Sequence, residues 1–109
     1  MDFYTEKYLV NALNLAKTRI DTIATDYSGD QMVFTRYGNR FSDGGYYYYE
    51  IEMVYQHKAK RICEAIAHSN FCEFENDEFI CDSADHDLAV MQLIQCGTAV
   101  GTYIVFNKG

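Results

Sequence analysis

The chain has 109 residues, of which 49% are hydrophobic and 23% charged, with 9 Lys and Arg against 16 Asp and Glu. That composition suits one globular domain over residues 1–109 and excludes a disordered chain, which combines low hydrophobicity with high charge. A net charge of −7 opposes direct contact with nucleic acid or an anionic membrane surface, both of which recruit Lys and Arg.

Residues 5–27 predict one amphipathic helix, because Leu9, Leu13, Ala16, Ile20, Ile23 and Tyr27 recur at spacings of three and four. Asp2 or Thr5 is a suitable cap for its start. The stripe is too short for a coiled coil, so docking on a sheet is favoured over a dimer seam. Gln31 to Tyr37 reads as a strand rich in β-formers, and residues 38–45 as a loop ending in Gly44-Gly45. Tyr46 to Tyr55 alternates as a strand. Tyr47, Tyr49, Ile51, Met53 and Tyr55 fall on one face, and Tyr46, Tyr48, Glu50, Glu52 and Val54 on the other.

A second helix is expected over 56–69, with Ala59, Ile62 and Ile66 inward. Phe71 to Cys81 follows as one strand or, preferably, as a hairpin turning at Asn76-Asp77. A third, mostly apolar helix runs from Ser83 to Cys96, capped by Asp82 or Ser83 and stopped by Gly97. Val100 to Phe106 is apolar on both faces and reads as a central strand. The expected fold is α+β, with three helices packed on a mainly antiparallel sheet of three to five strands, in the order α-β-β-α-(ββ)-α-β.

No uninterrupted apolar run approaches the ~20 residues of a membrane span. The N-terminus lacks the basic and apolar regions of a secretory signal, so a cytoplasmic location is expected. Cys63, Cys72, Cys81 and Cys96 contain no C-x-x-C pair and read as buried free thiols. Asp82-Ser83-Ala84-Asp85-His86-Asp87 brings carboxylates and an imidazole together, but it lacks the spacing of a calcium loop and a second ligand cluster. The helix cap is its simpler reading, and no metal or other cofactor is expected. None of the cysteines, serines or histidines sits in a nucleophile signature, and no phosphate-binding loop is present, so no catalytic residue and no enzyme are expected. The basic group Lys58-Ala59-Lys60-Arg61 reads as a solvated helix side.

Two features read as a binding surface. Residues 1–72 are near neutral, whereas 73–87 carry Glu73, Glu75, Asp77, Glu78, Asp82, Asp85 and Asp87 and no base. Carboxylates at i and i+2 on an extended chain lie about 6.6 Å apart, a spacing comparable with that of nucleic-acid charges. Four consecutive tyrosines, Tyr46 to Tyr49, add Tyr46 and Tyr48 beside Glu50 and Glu52, a face suited to Arg and Lys of a partner. The expected site is therefore Glu73, Glu75, Asp77, Glu78, Asp82 and Asp85 with Tyr46, Tyr48, Glu50 and Glu52. In size, acidity and lack of motifs the chain resembles small phage or mobile-element proteins that disarm host defence, such as anti-CRISPR and anti-restriction proteins. That likeness implies an inhibitor, monomeric or homodimeric, that covers the basic groove of a nucleic-acid-binding host protein. The alternatives are an immunity or antitoxin-like protein that neutralises one toxin, and a small enzyme or ligand-binding domain.

Overall fold

The computed structural model describes residues 17–108. They run β1 (Thr18–Thr25), β2 (Gln31–Tyr37), β3 (Arg40–Ser42), α1 (Tyr46–Tyr55), a single 3-10 turn (Gln56–Lys58), α2 (Ala59–Ser69), β4 (Glu73–Glu75), β5 (Glu78–Asp82) and α3 (His86–Lys108). The five strands form one antiparallel sheet in the order β1-β2-β3-β5-β4. The helical residues form two blocks, Tyr46 to Ser69 and His86 to Lys108, and not the three separate helices expected. The fold is α+β, with a different element order from the predicted one.

The core lies between one face of the sheet and the helices. Phe34, Phe41, Phe79 and Cys81 share that face and are buried. Above them pack Tyr47 and Ile51 of α1, Ala59, Ile62, Cys63 and Ala67 of α2, and Ala89, Leu93, Cys96, Val100 and Ile104 of α3. The α3 residues recur at spacings of four and three, the stripe of a helix with one buried side. By length and composition His86–Phe106 is also apolar enough to cross a membrane.

β2, the α2 region and the β4–β5 hairpin stand where the sequence places them. Asn76 and Asp77 both have positive φ, 51° and 64°, the pattern of a type I′ turn whose twist matches its strands. All four cysteines are buried and free.

Four expectations are corrected. Of the predicted first helix, 5–16 and its proposed caps lie outside the described residues, and 18–25 is strand β1. Five of its eight residues are β-branched (Thr18, Ile20, Thr22, Ile23, Thr25), a stiffness at Cβ that favours the pleated backbone. Residues 38–45 are not wholly loop, because Arg40–Ser42 joins β2 to β5.

Tyr46–Tyr55 is a helix and not a strand. The Asp43 carboxylate accepts the Tyr47 backbone N–H at 2.8 Å, and Gly44 and Gly45 take left-handed φ of 75° and 87° to turn the chain into it. Tyr47 and Ile51, four apart, then face the core, where the Tyr47 ring meets Phe79 edge-on at 5.4 Å and Phe34 at 6.4 Å.

Finally, α3 passes through Gly97 and Gly101 to Lys108, so Val100–Phe106 is helical. Gly97 is there for room: a Cβ built on it would stand 2.4 Å from Tyr47 Oη and 2.8 Å from Met32 Cε. The cap is Asp85, whose carboxylate accepts the Leu88 N–H at 3.1 Å, while Ser83 Oγ accepts the Asp85 N–H at 3.0 Å.

Candidate partner-binding surface

The acidic segment folds onto cations of its own chain. β3 lies beside β5 with Arg40 opposite Asp82, and the Arg40 guanidinium holds that carboxylate through two bonds, 2.9 and 3.0 Å, and Glu75 at 3.3 Å. The Asp82 partnership raises the Arg40 pKa further. Lys60 approaches Asp77 at 3.7 Å, and His68 Nε2 lies 3.4 Å from Glu73. Ser42 Oγ donates to Glu78, and Asp85 is spent on the α3 cap. Solvent-exposed pairs of this kind contribute only ~0–1 kcal/mol each, yet those made by Arg40 and Lys60 cancel charge. The stretch 73–87 therefore carries less free negative charge than its sequence implies.

The helix also re-sorts the tyrosine face. Tyr46, Tyr49, Glu50 and Met53 lie at i, i+3, i+4 and i+7, hence along one side of α1. Tyr46, Tyr49 and Met53 are 47%, 59% and 68% exposed. Tyr48 turns instead toward Phe74, with ring centroids 5.7 Å apart, and Glu52 lies one turn beyond it. The quartet Tyr46, Tyr48, Glu50 and Glu52 is thus divided between two sides of the helix.

At the start of α1 the Tyr46, Tyr49 and Met53 stripe meets the turn between β1 and β2. Tyr46 Oη donates to Asp30 Oδ2 at 3.3 Å. Asp26 Oδ1 closes the turn by accepting the Ser28 N–H (2.9 Å), the Ser28 hydroxyl (2.7 Å) and the Asp30 N–H (2.9 Å). Burial, then the charges of Asp26, Asp30 and Asp43, push the Glu50 carboxyl up to about 7. Its Oε1 is buried with no hydrogen-bond partner among the described residues. Burial and the same acidic surroundings raise the Tyr46 hydroxyl to about 12. Asp43, deeper still, is raised to about 6 by burial, although the N–H groups of Tyr47, Phe79 and Gly45 oppose the shift. Asp26, Asp30, Asp43 and Glu50 form no ion pair among the described residues.

Beside these groups, between β2 and the first turn of α1, is a partly enclosed cavity of about 260 Å³. Met32, Phe34, Tyr46 and Tyr47 line it together with Asp26 and Asp43. Sequence reasoning missed Asp26, Asp30, Asp43, Tyr49 and Met53. Asp26 and Asp30 flank Ser28-Gly29, a visible turn signal, but only the tertiary fold brings that turn to Tyr46.

Catalytic and metal chemistry gain no geometry. Among the described residues no three His, Cys, Asp or Glu side chains are placed to hold a metal ion. His86 accepts a 2.9 Å bond from Arg36 on Nδ1, which leaves its proton on Nε2, and its ring stacks edge-on to Phe41 at 5.4 Å. Burial pushes the Cys63 thiol up to about 12 and Cys81 to about 11, the unreactive direction. Cys72 is lowered by a thiol hydrogen bond from Cys96 but stays buried.

No protein-family model matches this chain. No curated protein matches it, and no solved structure does.

Proposed function

We propose that this chain is a protein-binding module that docks a basic segment of a partner protein on the Tyr46, Tyr49, Glu50 and Met53 side of α1 and the adjoining Asp26–Asp30 turn. One observation carries the reading: three exposed side chains of the types enriched at interfaces lie beside carboxylates that no cation of the described chain neutralises. Tyrosine supplies rigid area, methionine adapts to irregular partners, and the acids select Arg and Lys. The basic groove of a nucleic-acid-binding protein has the matching chemistry, and a chain seated there inhibits by occlusion. Glu73 and Asp87, which meet no Lys or Arg among the described residues, add to the negative field that accelerates encounter, whereas the short-range contacts come from α1.

The test is capture from the native host followed by mass spectrometry, comparing the wild-type chain with a Tyr49→Ser/Met53→Ser variant. Both side chains are exposed, so the variant should melt within a few degrees of wild type while losing the captured basic protein. Retention of the same partners by both chains overturns the proposal.

A further inference from the structure

We infer that the cavity between β2 and the start of α1 is a receptor for one arginine side chain of the partner, an anchor for the docking proposed above and dependent on that reading. Four features of the cavity select this occupant.

The first is size. At about 260 Å³ the space falls below the ~300–1,000 Å³ of pockets that enclose cofactor-sized molecules, and it suits a single long side chain. The second is lining. Met32 and Phe34 offer apolar surface to a methylene stem, and Tyr46 and Tyr47 add aromatic lining suited to a flat cation. The third is charge. Asp26 and Asp43 line the space, and Glu50 is close enough to feel them and Asp30, so an anion is repelled.

The fourth is unspent acceptors. Asp43 is already engaged, because Oδ1 accepts the N–H groups of Gly45 and Phe79 and Oδ2 that of Tyr47; its main contribution is field. Asp26 uses only Oδ1 within its turn. Glu50 stands beside the space and not in its lining; its Oε1 is a buried acceptor with no donor among the described residues, and its charge adds to the field that Asp26 and Asp43 set up. A guanidinium brings five donors in one plane, enough to meet the free Asp26 oxygen while lying along the aromatic lining, with Asp43 and Glu50 supplying field. An ammonium, a compact and strongly hydrated point charge, makes poorer use of the same walls.

The experiment is an amide-resolved NMR titration of the full-length chain with three capped tripeptides, Gly-Arg-Gly, Gly-Lys-Gly and Gly-citrulline-Gly. The arginine peptide should shift the amides of Gln31, Met32, Phe34, Tyr46 and Tyr47 and saturate in the millimolar range. The lysine peptide should bind at least threefold more weakly, and the uncharged citrulline peptide should leave these amides unmoved. Asp26→Asn and Glu50→Gln preserve shape and remove charge, and each should weaken the arginine peptide about tenfold with the rest of the spectrum unchanged. Equal binding of all three peptides, equal binding of lysine and arginine, or silence at these amides overturns the arginine receptor. Silence here with partner capture still lost in the Tyr49→Ser/Met53→Ser variant refutes the receptor alone; unaltered capture by that variant refutes the docking face itself.

Discussion

Gly97→Ala should destabilise this protein even though alanine is the better helix former. Position 97 is interior to α3, where exchanging glycine for alanine gains roughly 1 kcal/mol of helix propensity. The new Cβ, however, would lie 2.4 Å from Tyr47 Oη, 2.6 Å from Tyr47 Cζ and 2.8 Å from Met32 Cε. The tyrosine cannot swing aside at low cost. Its hydroxyl donates to the Leu93 carbonyl at 3.1 Å, and its ring is held edge-on between Phe34 and Phe79. Overpacking a set core costs about 1–3 kcal/mol, and breaking the bond to a buried carbonyl adds roughly 1–3 kcal/mol.

After the helix gain, the net loss is about 1–5 kcal/mol, which for a chain near this length lowers Tm by roughly 5–25 °C. Thermal unfolding followed by circular dichroism measures it. Tyr47→Phe removes the atom in closest contact, so the double variant should recover part of the loss, a non-additivity of about 1 kcal/mol or more. A Gly97→Ala chain that melts higher than wild type would show that Tyr47 does not approach the helix backbone in solution.

Three further outcomes test the local physics. Asp43 and Glu50 hold their protons more tightly folded than unfolded, so the folded state gains stability at low pH that is lost as pH rises from about 4 through 6 for Asp43 and 7 for Glu50. Urea unfolding should show the protein more stable at pH 5 than at pH 8, with Asp43 accounting for about 1.4 kcal/mol across this window; Asp43→Asn should remove that part of the slope, and a rise in stability with pH across this window would contradict the assignment. Asp77→Gly relieves a positive φ in the type I′ turn and sacrifices only an exposed contact to Lys60, so it should stabilise by ~0.5–1 kcal/mol; a loss of stability in chemical denaturation would refute the turn assignment. Asp85→Ala removes the α3 cap and should cost about 1 kcal/mol, whereas Ser83→Ala, one step removed, should cost less; equal costs would place the cap elsewhere.

How far the fold was legible follows from which signals are local. Gln31–Tyr37 is a strand because its β-formers sit between turns, and Asn76-Asp77 is a hairpin because these residues tolerate positive φ. The α2 stripe needs only its own periodicity. Tyr46–Tyr55 is different, since its residues satisfy both a two-residue and a four-residue repeat. The choice fell to Asp43, three residues upstream, whose carboxylate caps the helix and ties it to β5 through the Phe79 N–H at 2.8 Å. For the candidate site, acidity and tyrosine content were visible, but the partition was not. Arg40 reaches Asp82 and Glu75 across 42 and 35 residues, so no local reading could show that the most acidic window is partly compensated by cations from elsewhere in the chain.

Taken alone, the amino-acid order determined an acidic α+β chain with free thiols in its core, a tight acidic hairpin and an aromatic run beside carboxylates. Each of these depends on a residue's own chemistry or on neighbours a few positions away. Only tertiary structure decided that Gly97 is a gap for a tyrosine and not a stop, that the four tyrosines wind around a helix, and that Asp26, Asp43 and Tyr46 line one cavity. Close packing and charge pairing act through space, between groups whose separation along the chain carries no periodic trace.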